Sequence, residues 1–316
     1  MRLCLMIEGQ EDVTWDDWVA LADACEESGV ETLFRSDHYL SGDGQNGRGS
    51  HDAWTTLAAI AARTSRVRLG TMVSPVTFRH PSLVANAATT VDHVSGGRVD
   101  FGLGAGWYEL EHQTFGFPFP PMRERMEMLE EQLEIVLAQW TQDEFSFEGQ
   151  HYRLERCQAN PKPVQRPHPP VIVGGGGKPR TVDLAGRFAQ EYNVVSADPK
   201  ECAGIRTAID EAASRHGRER LVFSFMETTL IGRDRDDLIE KANRLGRLHW
   251  DGISGEQLLA EHAKGWVCGT VDEVAGQLED LAGAGLERAM LQHLDHRDLD
   301  AARLIGEELQ PRVASL

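Results

Sequence analysis

Apolar residues recur along the chain in two alternating rhythms: short runs of strand length, and longer stretches with apolar positions three and four apart. The first run is LCLMI (3–7). Thr14 then stands as an N-cap, Trp15, Trp18, Ala22 and Cys25 share one helical face, and Gly29 marks the stop. TLFRS (32–36) leads through a glycine-rich loop, 41–50, into a helix from about Asp52 to Thr64. RVRLGTMV (66–73) reads as a third strand, and Pro81 opens a helix carrying Leu83, Val84, Ala87, Val91 and Val94. RVDFGLG is the fourth strand, and a helix over 122–140 aligns Met126, Leu129, Leu133, Val136 and Trp140 in one stripe.

The rhythm breaks at 141–170, where a hairpin-like alternation and a proline-rich connector read as an insertion. It resumes with VIVGGGG and a helix from Pro179, then YNVV (192–195) with a helix from about Pro199. LVFSFMETTLI (221–231) follows with a helix from Asp234; a polar excursion at 248–269 precedes a helix over 271–284. RAMLQ (288–292) and a last helix, LDAARLIGEEL, complete eight strand–helix units. That count predicts an α/β fold, a (β/α)8 TIM barrel with one insertion, formed by 1–316 as a single domain; a doubly wound sheet with an appended domain is the alternative.

Composition narrows the function. The 41% hydrophobic content suffices for a core, and no apolar run approaches a membrane span. Five scattered cysteines without a C-x-x-C, and no signal peptide, suggest a reduced cytoplasmic protein. Fifty acidic against 32 basic residues, a net charge of −18, argue against nucleic-acid or membrane partners.

In a barrel, ligands meet the loops at the C-terminal strand ends. DFGLGAGWYELEH resembles a dinucleotide fingerprint, but Trp107 occupies its last small position and Pro118, Pro120 and Pro121 discourage an immediate helix. VIVGGGGKPRT is the strongest anion signal: glycine amides, a helix start and the cations of Lys178 and Arg180 together suit a phosphate. RSDHYL places Asp37 and His38 at the mouth, where His38 could exchange protons or merely cap the barrel by hydrogen bonds. No metal motif, Walker motif, nucleophile elbow or strand-borne lysine appears, so these residues predict a phosphate-bearing ligand over a rim containing His38 and leave the reaction open.

Together, RSDHYL, the stretch from LGTMVSPVTFRHP to TFGFPFPP, RMEMLEEQLEIV and PKPVQRPHPPVIVGGGG resemble the luciferase-like monooxygenase superfamily. The similarity is nearest to the branch of oxidoreductases that use the deazaflavin coenzyme F420. It implies Asp37 and His38 as the catalytic pair beside the ring, with Asp37 also touching coenzyme. Met72, Val73 and Ser74 follow as ring neighbours, with a non-prolyl cis bond at Met72–Val73. Gly104, Ala105, Gly106 and Trp107 are implied as ring and ribityl contacts, and Gly174, Gly175, Gly176, Gly177 and Lys178 as phosphate contacts. The resemblance further implies hydride transfer to or from a small organic substrate, and a homodimer. An FMN-dependent monooxygenase served by a separate reductase, and a non-catalytic coenzyme-binding protein, are the rivals. One departure counts: the sugar-phosphate-oxidising branch offers a carboxylate just after the fourth-strand glycines, where this chain has Trp107 and its Glu109 and Glu111 fall off register. Loops 41–50 and 248–269 are expected to shape the substrate pocket.

Overall fold

The computed structural model describes residues 1–44, 47–195 and 198–316. In chain order the strands are β1 (Arg2–Ile7), β2 (Thr32–Arg35), β3 (Arg68–Thr71), β4 (Ser74–Pro75), β5 (Val99–Gly104), β6 (Phe145–Glu148), β7 (Arg153–Cys157), β8 (Val171–Gly174), β9 (Glu191–Val195), β10 (Val222–Gly232), β11 (Val267–Thr270) and β12 (Arg288–Gln292). Helices α1 (Trp15–Ser28), α2 (Ala53–Ala61), α3 (Pro81–Ser95), α4 (Glu109–Phe115), α5 (Met122–Thr141), α6 (Pro179–Phe188), α7 (Pro199–Arg215), α8 (Arg235–His249), α9 (Gly255–Glu261), α10 (Val271–Gly283), α11 (Leu299–Arg303) and α12 (Gln310–Val313) connect them, with a π-helical turn over Leu304–Leu309.

Strands β1, β2, β3, β5, β8, β9, β10 and β12 pair in parallel in that order, and β12 returns to β1 through Arg2↔Arg288 to Met6↔Gln292. The closed eight-stranded ring is the expected TIM barrel. Strand β1 shows why its sequence reads as one apolar run: Leu3, Leu5 and Ile7 pack outward against helices, whereas Cys4 and Met6 pack inward with Phe34, Met72, Ile172 and Met290. Both faces are buried, as in parallel sheets. Helix α1 begins at a reciprocal Thr14–Asp17 capping box and ends at Gly29 with φ +89°, a geometry that glycine adopts without a Cβ penalty.

The insertion is the antiparallel pair β6–β7, whose Phe145 packs on Ile135 and Ala138 of α5. Two expectations need correction. The stretch 248–269 is largely structured: α9 and β11 lie within it, β11 extends the sheet on the long β10, and Leu258 and Trp266 pack with Leu230 and Leu245. A helix, α4, does follow the fourth barrel strand, because Glu109–Phe115 completes two turns before the prolines begin. In loop 41–50, Gln45 and Asn46 lie outside the described residues.

The barrel floor is closed by charge. Arg288, at the start of β12, reaches Asp100 (2.6 Å), Glu191 (2.8 Å), Glu31 (3.0 Å) and the Thr32 hydroxyl (2.6 Å). Burial opposes ionisation of Asp100, but Arg288 and Arg68 outweigh it and hold the carboxyl below its ordinary value. Burial pushes the neighbouring Cys4 thiol up to about 12, so it stays protonated. Chemistry belongs at the other end.

Candidate active site

A cavity of about 1310 Å³ opens at the C-terminal ends of the strands. The three segments singled out by sequence meet there: His38, the run Gly104–Trp107, and Gly174–Gly176 with Lys178 all line it. Met72 and Val73 line it as well, and their peptide bond is cis.

Val73 explains the glycines. A Cβ on Gly102 would lie 2.0 Å from the Thr71 carbonyl oxygen and 3.0 Å from Val73 Cγ1, one on Gly104 would lie 2.7 Å from Val73 Cγ2, and one on Gly174 would lie 3.3 Å from Val73 Cγ1. Three glycines from two adjacent strands thus seat one valine at the cavity floor. The fourth-strand pattern makes room for this bulge, which is a different use of glycine from a phosphate turn.

His38 donates or accepts through Nδ1 with Glu111 Oε2 at 2.8 Å. Glu111 is fully buried and also accepts from the backbone amides of Tyr39 and Leu40. Burial alone would lower the His38 pKa, but the Glu111 hydrogen bond and charge prevail and raise it above the ordinary histidine value. The ring stands edge-on to Trp107, centroids 5.7 Å apart, which leaves Nε2 for the cavity that His38 lines. Glu111, which falls off register with the fourth-strand glycines in sequence, is carried back over the His38 loop by α4 and so places a carboxylate beside His38. Periodicity within 109–115 was the available signal.

Asp37 is placed differently from expectation. It is 1% exposed and does not line the cavity; Ser74 Oγ donates to it at 2.6 Å and Arg79 grips both its oxygens. Arg79 also bonds Asp52 at the N-cap of α2 and the Tyr39 hydroxyl, and Trp54 Nε1 donates to Ser74. Asp37 and Ser74 therefore anchor the His38 loop beneath the site, because a buried carboxylate is tolerated where charge and hydrogen bonds compensate it. Arg79 was missed, because it is not among the site residues singled out from the sequence.

At the far wall Gly175 donates to Asn193 and Gly177 to the Tyr192 hydroxyl at 3.0 Å. Gly177, with φ +70°, is not among the residues that line the cavity, and its amide is engaged by the Tyr192 hydroxyl. Helix α6 starts here with no side-chain cap, and Lys178, Arg180 and Thr181 of that start line the cavity. Uncapped amides plus cations suit a phosphate. Arg123, at the start of α5, lines the same wall, and Arg180 Nη1 donates to its carbonyl at 3.3 Å. Arg48 contributes nothing to this groove; it is paired with Glu11 and Asp43.

A parallel barrel with uncapped amides and cations, a seated valine and a carboxylate-backed histidine at one mouth has the layout of an enzyme cavity suited to a phosphate-bearing ligand. The chain belongs to the luciferase-like monooxygenase family, whose model matches residues 4–308, and is an oxidoreductase. It is 27% identical over 324 residues to an F420-dependent glucose-6-phosphate dehydrogenase of Amycolatopsis mediterranei (strain U-32), covering 95% of each chain. An FMNH(2)-dependent dimethylsulfone monooxygenase of Pseudomonas putida is 30% identical over 222 residues, covering 69% of this chain and 58% of that protein. Among solved structures, monooxygenase RslO1 from Streptomyces bottropensis superposes with a TM-score of 0.82 at 25% identity, covering 98% of this chain and 99% of that one. No helix among the described residues is long and apolar enough to cross a membrane.

Proposed function

We propose that this oxidoreductase transfers a hydride between coenzyme F420 and a small organic substrate. The observation that carries the choice is that Lys178, Arg180 and Arg123 line the cavity together with the glycine loop, Arg123 sharing its charge with Glu127 at 3.0 Å and Arg180 lying 3.9 Å from Glu130. A single phosphate, as in FMN, is satisfied by the loop and the start of α6; further exposed cations beyond it suit the long anionic tail of F420. Full-length similarity to an F420-dependent dehydrogenase supports the same reading.

When bound, the deazaflavin supplies the hydride-accepting and hydride-donating carbon C5. Gly174–Gly176 and the start of α6 would hold its phosphate, Val73 would lie against its ring, and Trp107 with Tyr108, stacked at 4.8 Å, would exclude water. His38 moves the substrate proton through Nε2 while Glu111 holds Nδ1. Its raised pKa enlarges the protonated fraction relative to an ordinary histidine, which equips it to donate a proton during substrate reduction.

Comparative titration of F420 and FMN, followed by fluorescence quenching, tests the assignment. Tighter binding of F420, weakened by added salt, is the expected result. Micromolar FMN affinity with no response to F420 reverses it in favour of a flavin-dependent monooxygenase.

A further inference from the structure

The cavity carries opposite charge at its two ends. Strands β8 and β1 face each other across the ring, and the cationic wall belongs to β8. On the side of β12, β1 and β2 the charged lining consists of Glu8, Glu11 and Asp43 with Arg48, together with His38, which is paired with Glu111 at 2.8 Å. Arg48 is already engaged: Nη1 bonds Glu11, and Nη2 lies 3.2 Å from Asp43 Oδ2. Glu8 accepts from Gln10 at 2.7 Å and from Gln292, so its hydrogen bonds come from neutral amides, while its charge also favours protonated His38. Burial lowers the pKa of His293 and of His296 on this side despite nearby carboxylates, so neither imidazole supplies positive charge at neutral pH. The four residues outside the described set, Gln45, Asn46, Ser196 and Ala197, are uncharged.

An anion brought to this end would shed water and meet three carboxylates with no unpaired cation among the described residues. We propose that the substrate end accepts a non-anionic hydroxy or carbonyl compound and rejects phosphate esters, Glu8 being the group that meets its polar hydrogens. This rests on the hydride-transfer reading. In the oxidative direction the carbinol hydrogen leaves with its electron pair for the coenzyme, the hydroxyl proton goes to His38, and the carbon–oxygen double bond forms, so atoms and charge balance. The chain would thus share a full-length relative's architecture while differing from the sugar-phosphate substrate in that relative's name.

The test uses enzyme loaded with whichever coenzyme the titration above identifies, so failure of the F420 assignment and failure of the charge argument are read separately. Glucose, glucosamine and glucose 6-phosphate are titrated in turn against coenzyme fluorescence. Glucose and glucosamine are expected to bind at least about tenfold more tightly than glucose 6-phosphate. Glu11→Gln, which removes one of the two carboxylates that hold Arg48, is expected to narrow that gap by about tenfold; Glu8→Gln, which leaves Arg48 fully paired, is a second variant should the first fail to fold, and it should narrow the gap as well. Glucose 6-phosphate binding as tightly as glucose, saturable turnover of it, or no discrimination among the three, absence of any binding included, overturns the proposal.

Discussion

Replacing Glu111 by glutamine removes a charge while nearly preserving a shape, and it isolates what holds His38. The amide oxygen of the introduced glutamine can still accept from the Leu40 amide, which lies 3.1 Å from Glu111 in the parent, so the loop should keep its course. What disappears is the charged acceptor 2.8 Å from His38 Nδ1. A hydrogen bond to a charged group contributes about 1.5–3 kcal/mol, equivalent to about 10–100-fold in an equilibrium at about 1.4 kcal/mol per decade. The sign follows from the opposing influences on His38. Burial favours the neutral ring and Glu111 the protonated one, with the second prevailing in the parent; in the variant burial is opposed only by the charges of Glu8 and Asp37. Activity that needs protonated His38, substrate reduction, should therefore lose about 10–100-fold near neutral pH, and its alkaline limb should move to lower pH. Oxidation should begin to rise at lower pH than in the parent. The assay is the pH profile of kcat/KM in both directions, with coenzyme affinity measured alongside. An unmoved limb in Glu111→Gln, with coenzyme still bound, would refute the assignment of His38 as the proton carrier positioned by Glu111.

Two further predictions concern the floor of the site and the base of the barrel. Gly104→Ala drives a methyl against Val73 Cγ2, where it would lie at 2.7 Å; overpacking of about 1–3 kcal/mol should appear as weaker coenzyme binding with a smaller loss of melting temperature, and Val73→Ala in the same chain should restore part of the affinity. Restoration of nothing would show that the glycine serves the coenzyme directly. Arg288→Met leaves Asp100 and Glu191 buried without their shared counter-ion and should cost about 3–5 kcal/mol in urea unfolding. In the parent, the lowered Asp100 pKa contributes stability that is present above the ordinary carboxylate value and lost as pH falls through the depressed one. The variant should therefore unfold at higher pH on acid titration than the parent does.

The alternation of apolar periods made the barrel legible because strands such as β1 are buried on both faces and helices such as α1 carry reciprocal caps that local sequence spells out. The glycine-rich strand ends were legible for the same reason: few positions exclude a Cβ, and Gly102 does so because of the Thr71 carbonyl oxygen and Gly104 because of Val73, while Gly174 is only tight against Val73. Contacts made across the fold were not legible. Glu111 lies 73 positions from His38 and reaches it only because α4 turns the chain back. Arg79 lies 42 positions from Asp37, and nothing in the local RHP sequence points to that partner. Asp37 therefore looked catalytic from its place beside His38, although successive side chains need not face the same side.

The loop after β2 shows how the fold keeps structural and chemical charge apart. Asp37 and His38 are neighbours, yet Asp37 turns under the mouth to Arg79 and Ser74, and His38 turns over it to Glu111. Anchorage and proton transfer therefore rest on different carboxylates. Had Asp37 been the counter-ion of His38, neutralising it would have altered both the loop's anchorage and the proton carrier, and no single substitution could tune one without the other. With Glu111 supplied from α4, the acidity of His38 can change through a helix that follows the fourth barrel strand while the Arg79 anchor stays intact. That separation is what makes Glu111→Gln an interpretable experiment, and it places adjustment of the site on the short helix α4.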